Sequence, residues 1–233
     1  VTKLKIQERL ISLKEGIQQA AEKAGRNPDE ICLVAVSKTK PAEAVREAAQ
    51  TGHLIYGENR VQEGLEKIEV LDDLPFLEWH LVGHLQKNKA RFCPGNFQWL
   101  HSLDSLELAQ RLDRFCLERE VSLNVLVQLN LSKEDSKSGL RGWEQLKPLA
   151  EEVMKLKRLH LRGLMTMPAP DQGEARTRHA FAELRELQLR LQQNFEAPEI
   201  DQLSMGMTAD FRWAILEGAT LIRIGSAIFG SRH

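Results

Sequence analysis

Lys38 is the residue whose position in this sequence most readily suggests chemistry. It is the first charged residue after the apolar run at residues 31–36, in the segment ICLVAVSKTKP. A short, β-branched run without charges is typical of a buried strand, so Lys38 lies where that strand leaves the core. An ammonium group there loses part of its hydration, which favours the neutral amine and makes Lys38 a candidate nucleophile toward a carbonyl carbon. The alternative, a lysine that ends a strand with its amino group in water, stays open from this segment alone.

Two loops near the C-terminus combine glycine with hydroxyl groups, as phosphate sites often do. The first is SMGMT at residues 204–208, which leads into a helix predicted over residues 209–217, and the second is GS at residues 225–226. Amides at the start of a helix, and glycines that let the backbone approach a ligand, favour an anion. The candidate phosphate ligands are Ser204, Met205, Gly206, Met207, Gly225 and Ser226. The same glycines can also be ordinary turn residues.

Arg223 interrupts an apolar strand, because it stands between Ile222 and Ile224 in TLIRIG. A charge at such a position needs a partner. One interpretation is an ion pair with an acidic residue such as Glu217 or Asp201. The other is that the guanidinium group holds an acceptor atom of a ligand.

An amine, a phosphate site and an arginine together fit two kinds of chemistry. One is a Schiff-base aldolase that acts on a phosphorylated sugar. The other is pyridoxal phosphate held as an aldimine on Lys38, with Arg223 facing the pyridine nitrogen. Lys40 competes with Lys38 for the aldehyde, because residues two apart along an extended chain point the same way. Spacing alone does not choose between these possibilities.

The elements that must position these residues alternate along the chain. Strand patterns occupy residues 31–36, 54–56, 79–82, 98–101, 123–129, 160–164, 200–203 and 221–224, with helical patterns between them. Strands separated by helices indicate right-handed βαβ crossovers and a parallel sheet. Eight of them predict an α/β fold, a single (β/α)8 TIM-type barrel preceded by an N-terminal helix. A doubly wound open sheet is the alternative, although no glycine-rich turn follows the first strand.

In such a barrel the loops after the strands meet at one mouth, which would bring Lys38, the two glycine loops and the strand of Arg223 together. Gly57-Glu58-Asn59 follows the second strand, and His84 follows the third strand, in which His80 lies. The barrel therefore predicts one shared site at the carboxyl ends of the strands.

The composition argues against several classes of protein. The 233 residues include 32 basic and 33 acidic side chains, which leaves no basic excess to bind nucleic acid. Three cysteines without CxxC spacing favour a reducing compartment over a disulfide or zinc framework. No apolar stretch approaches the roughly 20 residues of a membrane span, and the amphipathic N-terminal segment is unlike a signal peptide. We expect a cytoplasmic protein, folded as one domain over residues 1–233, without nucleic-acid or membrane partners.

Six longer motifs occur in order between about residue 33 and residue 230: AVSKTKP, YGENRVQEG, WHLVGHLQKNK, LRGLMTMPAP, LSMGMTADF and IRIGSAIFG. Together they closely resemble the pyridoxal phosphate homeostasis protein family. The resemblance implies PLP fold type III, a barrel similar to the N-terminal domain of alanine racemase, with pyridoxal 5'-phosphate on Lys38. It also implies that Asn59 lies near the cofactor and that Arg223 approaches the ring nitrogen. The implied phosphate contacts are Ser204, the backbone of Gly206 and Met207, Gly225 and Ser226.

The role implied by the resemblance is the binding, buffering and delivery of pyridoxal phosphate in the cytosol. We expect a monomer whose partners are pyridoxal phosphate and PLP-dependent apoenzymes. An arginine beside the ring nitrogen disfavours its protonation, which makes the ring a weaker electron sink. Racemases of this fold use a tyrosine base from a second domain, whereas the only tyrosine here is Tyr56. We therefore expect no catalytic turnover. The alternative is a PLP-dependent amino-acid racemase or lyase in which His80 or His84 would be the second base.

Overall fold

The strands of the computed structural model, which describes residues 5–131 and 138–230, form a closed parallel barrel. They pair in sequence order, and the eighth strand pairs with the first. The strands are β1 (Cys32–Val36), β2 (Ile55–Glu58), β3 (Glu78–Leu81), β4 (Trp99–Leu103), β5 (Leu123–Leu129), β6 (Leu159–Thr166), β7 (Gln202–Ser204) and β8 (Leu221–Ile224). The predicted (β/α)8 barrel is confirmed, and the doubly wound alternative is wrong.

The helices surround this barrel. They are α1 (Ile6–Lys23), α2 (Ala42–Ala49), α3 (Val61–Val70), α4 (Leu106–Glu118), α5 (Trp143–Met154), α6 (Glu174–Phe195), α7 (Phe211–Leu216) and α8 (Ser226–Phe229), with 3-10 helices at Pro28–Glu30 and Lys87–Phe92. The N-terminal helix α1 packs against α2, α7 and α8. It therefore covers the part of the barrel where the first and last strands meet.

The side chains of β1 show how one strand serves two layers. Leu33 and Ala35 belong to the apolar layer between the strands and the helices. Val34 and Val36 belong to a second apolar cluster, and alternation along the strand places that cluster inside the barrel. This two-sided burial explains why β1 is an uninterrupted apolar run in the sequence.

The helix after β7 differs from its prediction. It begins at Phe211 and ends at Leu216, whereas residues 209–217 were expected to be helical. The backbone N–H of Met207 donates to the Asp210 carboxylate at 2.6 Å, which forms a turn in place of the first part of the predicted helix. The short helix α8 after β8 was not predicted.

Within the described residues, no helix is long and apolar enough to cross a membrane. The same residues include no group of three His, Cys, Asp or Glu side chains arranged to hold a metal ion. Cys93 and Cys116 are buried and Cys32 is half-buried, and all three are free thiols.

Candidate functional site

A cavity of about 500 Å³ opens at the carboxyl ends of the strands. This volume lies in the range of roughly 300–1,000 Å³ that is usual for small-molecule pockets. Six of the predicted site residues line it: Lys38, Asn59, Met207, Arg223, Gly225 and Ser226. The barrel thus brings together residues that are up to 188 positions apart in the sequence, from 38 to 226.

Lys38 lies in a turn directly after β1. Val36 ends the strand, Ser37 is fully buried, and Thr39 has a positive φ of 63°. The extended chain that was expected to align Lys40 with Lys38 is therefore absent, and that prediction is wrong. Lys40 lines a smaller recess of about 80 Å³ that Lys38 and Ser226 also line. Lys38 lines both cavities, whereas Lys40 does not line the larger one.

A buried network of ion pairs and hydrogen bonds holds the turn that contains Lys38. Lys67 on α3 donates to Glu58 at 2.6 Å, to the Ser37 carbonyl oxygen at 2.7 Å and to Glu63 at 2.9 Å. The Ser37 hydroxyl donates to Glu58 at 2.6 Å, and the backbone N–H of Thr39 donates to Glu63. Burial raises the pKa of the Glu58 carboxyl, although its bonds to Lys67 and Ser37 oppose that shift. The network ties β2 and α3 to both residues that flank Lys38.

The two glycine loops meet at the cavity through their hydroxyl groups. The Ser226 hydroxyl donates to the Thr208 hydroxyl at 3.0 Å, and both residues line the cavity. Thr208 was part of the quoted loop but was not predicted to be a ligand. Gly225 allows close packing here, because a Cβ atom would lie 3.0 Å from the backbone oxygen of Val36.

Three predicted phosphate ligands do not line the cavity: Ser204, Met205 and Gly206. All three are buried behind it. The Met207 amide, a predicted phosphate donor, already donates to Asp210. Burial raises the pKa of the Asp210 carboxyl, although its bond to Met207 and the charge of Arg223 oppose that shift.

Arg223 is 5% exposed and lines the cavity from β8. It donates to the Ser204 hydroxyl at 2.5 Å and to the Thr166 carbonyl oxygen at 3.0 Å. Burial lowers its pKa to about 10, so the guanidinium group remains charged at neutral pH. The ion pair with Glu217 or Asp201 that was considered from the sequence is wrong.

Each of those two carboxylates has other partners. Glu217 pairs with Arg178 at 2.7 Å and with Arg185 at 3.3 Å. The Asp201 carboxylate accepts a hydrogen bond from Gln202 at 2.7 Å. Arg223 is therefore oriented by neutral oxygen atoms, with the Asp210 carboxylate close enough to raise its pKa.

Asn59 and His84 line the cavity from the loops that follow β2 and β3. The two loops touch at Gly83, where a Cβ atom would lie 2.2 Å from the Asn59 backbone oxygen. His84 is half-exposed, with Nδ1 3.6 Å from an Asp104 carboxylate oxygen. His80 is buried within β3 and does not line the cavity.

His101 is a further buried polar residue beside this site, and the sequence motifs did not single it out. Its Nδ1 lies 2.8 Å from the Ser204 hydroxyl, and its Nε2 lies 2.9 Å from Nδ1 of His80. The available signal was its place in β4, where alternation with Leu100 turns it toward the barrel interior. A histidine at an inward position of a strand is a polar residue that needs partners.

The chain is similar to known proteins over nearly all of its length. A family model described as alanine racemase, N-terminal domain, matches residues 9–233. A curated pyridoxal phosphate homeostasis protein from Pseudomonas aeruginosa is 48% identical over 227 residues, covering 97% of this chain and 96% of the relative. Another, from Haemophilus influenzae, is 43% identical over 231 residues, covering 99% and 97%.

Solved structures show the same similarity. PipY of Synechococcus elongatus, with PLP bound, is 39% identical with a TM-score of 0.87, covering 97% of this chain and 100% of that one. An alanine racemase of Clostridium difficile is 15% identical with a TM-score of 0.73, covering 94% of this chain and 59% of the racemase, which supports the fold alone. Because the closer similarity spans nearly all of both chains, this chain belongs to the pyridoxal phosphate homeostasis protein family.

Proposed function

We propose that this chain binds pyridoxal 5'-phosphate at the barrel mouth, holds it covalently on Lys38 and takes part in homeostasis of the cofactor without catalytic turnover. The observation that carries the proposal is the convergence of Lys38, Arg223, Ser226 and Thr208 on one cavity of about 500 Å³. The PLP-bound structure of PipY, a close relative in sequence and fold, supports the identity of the ligand.

The residues of the cavity fit the functional groups of the cofactor. When bound, pyridoxal phosphate supplies an aldehyde that reacts with amines and a ring that withdraws electrons. The ε-amino group of Lys38 would join the aldehyde carbon with loss of water. The hydroxyls of Ser226 and Thr208, beside Gly225, would hold the phosphate. Asn59 would contact the cofactor from the β2 side.

We assign an indirect role to the remaining loop residues. Ser204, Met205 and Gly206 would support the phosphate loop from behind, because they are buried and do not line the cavity. Met207 lines the cavity, but its amide becomes available to a phosphate only if Asp210 releases it.

Arg223 would face the ring nitrogen. Its charge persists at neutral pH, and a positive charge there disfavours protonation of the nitrogen. The bound ring would then stabilise a carbanion poorly, which supports a binding role over a catalytic one.

The arrangement of possible second bases also supports a binding role. The Tyr56 side chain is fully buried, and its hydroxyl donates to the His53 carbonyl oxygen at 2.8 Å. The His80 imidazole is hydrogen-bonded to His101 and to Glu78. His84 lines the cavity and is the residue on which the racemase or lyase alternative depends.

We further propose that the chain forms one domain and acts as a monomer in the cytoplasm, where it passes the cofactor to PLP-dependent apoenzymes. Sedimentation would test the monomer. Recovery of activity by an apoenzyme mixed with the loaded protein, compared with the same amount of free cofactor, would test delivery.

Absorption spectra before and after borohydride reduction test the covalent link. Wild-type protein loaded with pyridoxal phosphate should absorb in the visible range, and reduction should make the attachment permanent. Lys38→Ala should abolish the attachment, whereas the matched variant Lys40→Ala should retain it. A protein that stays colourless with added cofactor would refute the proposal. Trapping of a sugar phosphate on Lys38 instead would support the Schiff-base aldolase.

Proton exchange tests the absence of turnover. We expect no deuterium at the Cα atom of D- or L-amino acids after incubation with loaded protein in heavy water. Exchange that disappears in His84→Gln would establish the racemase or lyase alternative.

A further inference from the structure

A continuous chain of hydrogen bonds crosses the barrel interior and ends at Arg223. Arg223 donates to the Ser204 hydroxyl at 2.5 Å, and that hydroxyl lies 2.8 Å from Nδ1 of His101. His101 Nε2 lies 2.9 Å from His80 Nδ1, and His80 Nε2 lies 2.8 Å from the Glu78 carboxylate. Since β4 and β7 are not neighbours in the barrel, the contact between His101 and Ser204 must cross the interior.

The residues at the two ends of this series of hydrogen bonds determine the direction of every bond in it. An arginine only donates, so Ser204 accepts at one end. An ionised carboxylate only accepts, and the hydrogen bond from His80 lowers the pKa of Glu78, which favours the ionised carboxylate. With both histidines neutral, His80 and His101 must each carry their proton on Nε2, and Ser204 must donate to His101.

Burial favours this neutral state over a charged one. His80 is 1% exposed and His101 is fully buried, and burial lowers the pKa of both imidazoles. The Trp99 ring stacks on His80 with centroids 5.4 Å apart, which restricts the orientation of the imidazole. Ser204, His101 and His80 each have a hydrogen-bond partner on both sides, as a buried polar network requires.

This series of hydrogen bonds connects the two ends of the barrel. Glu78 is the first residue of β3, and its side chain is 38% exposed on the face remote from the cavity. Arg223 reaches the cavity at the other end. The neutral residues between them therefore join an anion at one face to a buried cation at the other.

We propose that Glu78, His80 and His101 are positioning residues that orient the Ser204 hydroxyl as an acceptor and thereby fix Arg223 against the ring nitrogen of the bound cofactor. The second half of this inference rests on the proposed function. The first half, the direction of the hydrogen bonds, is a property of the protein without cofactor.

Nitrogen-15 NMR of the cofactor-free protein tests the direction. Both His80 and His101 should show a protonated Nε2 and an unprotonated Nδ1 at neutral pH. A protonated Nδ1 on either ring would overturn the inferred direction of the hydrogen bonds. Glu118→Gln, an exposed change on α4, is a control that should leave both histidine signals unchanged.

Cofactor binding tests the effect on Arg223. His101→Leu removes the donor and the acceptor, and we expect about tenfold weaker binding of pyridoxal phosphate together with a shifted signal from its nitrogen-15-labelled ring. His101→Gln keeps one donor and one acceptor and should recover part of both effects. Unchanged affinity and ring signal in His101→Leu would overturn the proposal.

A second variant covers the case in which His101→Leu does not fold. Glu78→Leu removes the acceptor at the half-exposed end and should redistribute the His80 proton and weaken binding, whereas Glu78→Gln retains an acceptor and should preserve both. Wild-type protein that binds no pyridoxal phosphate would overturn the proposed function and the role toward the ring nitrogen. The measurement of the histidine tautomers would still test the direction of the hydrogen bonds, because it needs no cofactor.

Discussion

Replacing Lys67 with methionine would remove the cation of the buried ion pair beneath the Lys38 turn. The ammonium group contacts Glu58, Glu63 and the Ser37 carbonyl oxygen within 2.9 Å. Methionine has a similar length and fills the same space, so the change is chiefly one of charge and hydrogen bonding. It leaves the fully buried Glu58 carboxylate without its counter-ion.

Loss of one partner from a buried ion pair costs about 3–5 kcal/mol, because the other charge remains buried. The pKa of Glu58 is already raised above its ordinary value of 4.5 by burial, and without Lys67 it should rise further. A carboxyl with a higher pKa in the folded state binds more protons there than in the unfolded state. The free energy of unfolding therefore falls as the pH rises through that interval. We expect the deficit of Lys67→Met to be largest near neutral pH and to shrink in acid.

Urea unfolding of wild type and Lys67→Met at about pH 7.5 and about pH 5.5 measures this difference. The double variant Glu58→Gln with Lys67→Met is the control, because it removes both charges and should show a smaller deficit that does not depend on pH. An equal deficit of the single variant at both pH values would refute the reasoning. It would mean that Lys67 does not compensate the charge of Glu58.

Three further predictions concern the cavity. Gly83→Ala should lower the free energy of unfolding by about 2 kcal/mol or more in a urea titration, because the new Cβ atom would lie 2.2 Å from a backbone oxygen. The double variant Thr208→Val with Ser226→Ala should weaken binding of pyridoxal phosphate by about tenfold in a spectroscopic titration, and equal weakening for pyridoxal would contradict a phosphate role. Asp210→Asn keeps the acceptor for the Met207 amide but removes a negative charge, so it should tighten pyridoxal phosphate binding several-fold; weaker binding would argue against repulsion.

The barrel could be predicted from the sequence because its signals are local. The predicted bounds of β5 and β8 agree with the structure. The predicted ends of the other strands differ from the observed ends by no more than two residues. An apolar run such as that of β1 carries its own evidence of burial on both faces. The start of α7 was predicted less well, because the Met207 amide donates to the Asp210 side chain and forms a turn that the apolar pattern does not reveal.

The sequence also determined which residues had unusual positions: a lysine at a strand end, an arginine within a strand and two loops with glycine and hydroxyl groups. These are properties of neighbours along the chain. The closure of the barrel then decided which of them share a cavity, and it placed Thr208 there but not Ser204.

Only the tertiary structure decided the partners of Arg223. Its link to Glu78 passes through Ser204, His101 and His80, with steps of 19, 103, 21 and 2 residues along the chain. No local pattern encodes the contacts at separations of 19, 103 and 21 residues, because they depend on the register of four strands and on which side chains point inward. The sequence by itself identified Lys38 as a candidate amine, whereas only the closed barrel shows how a buried arginine beside it is held.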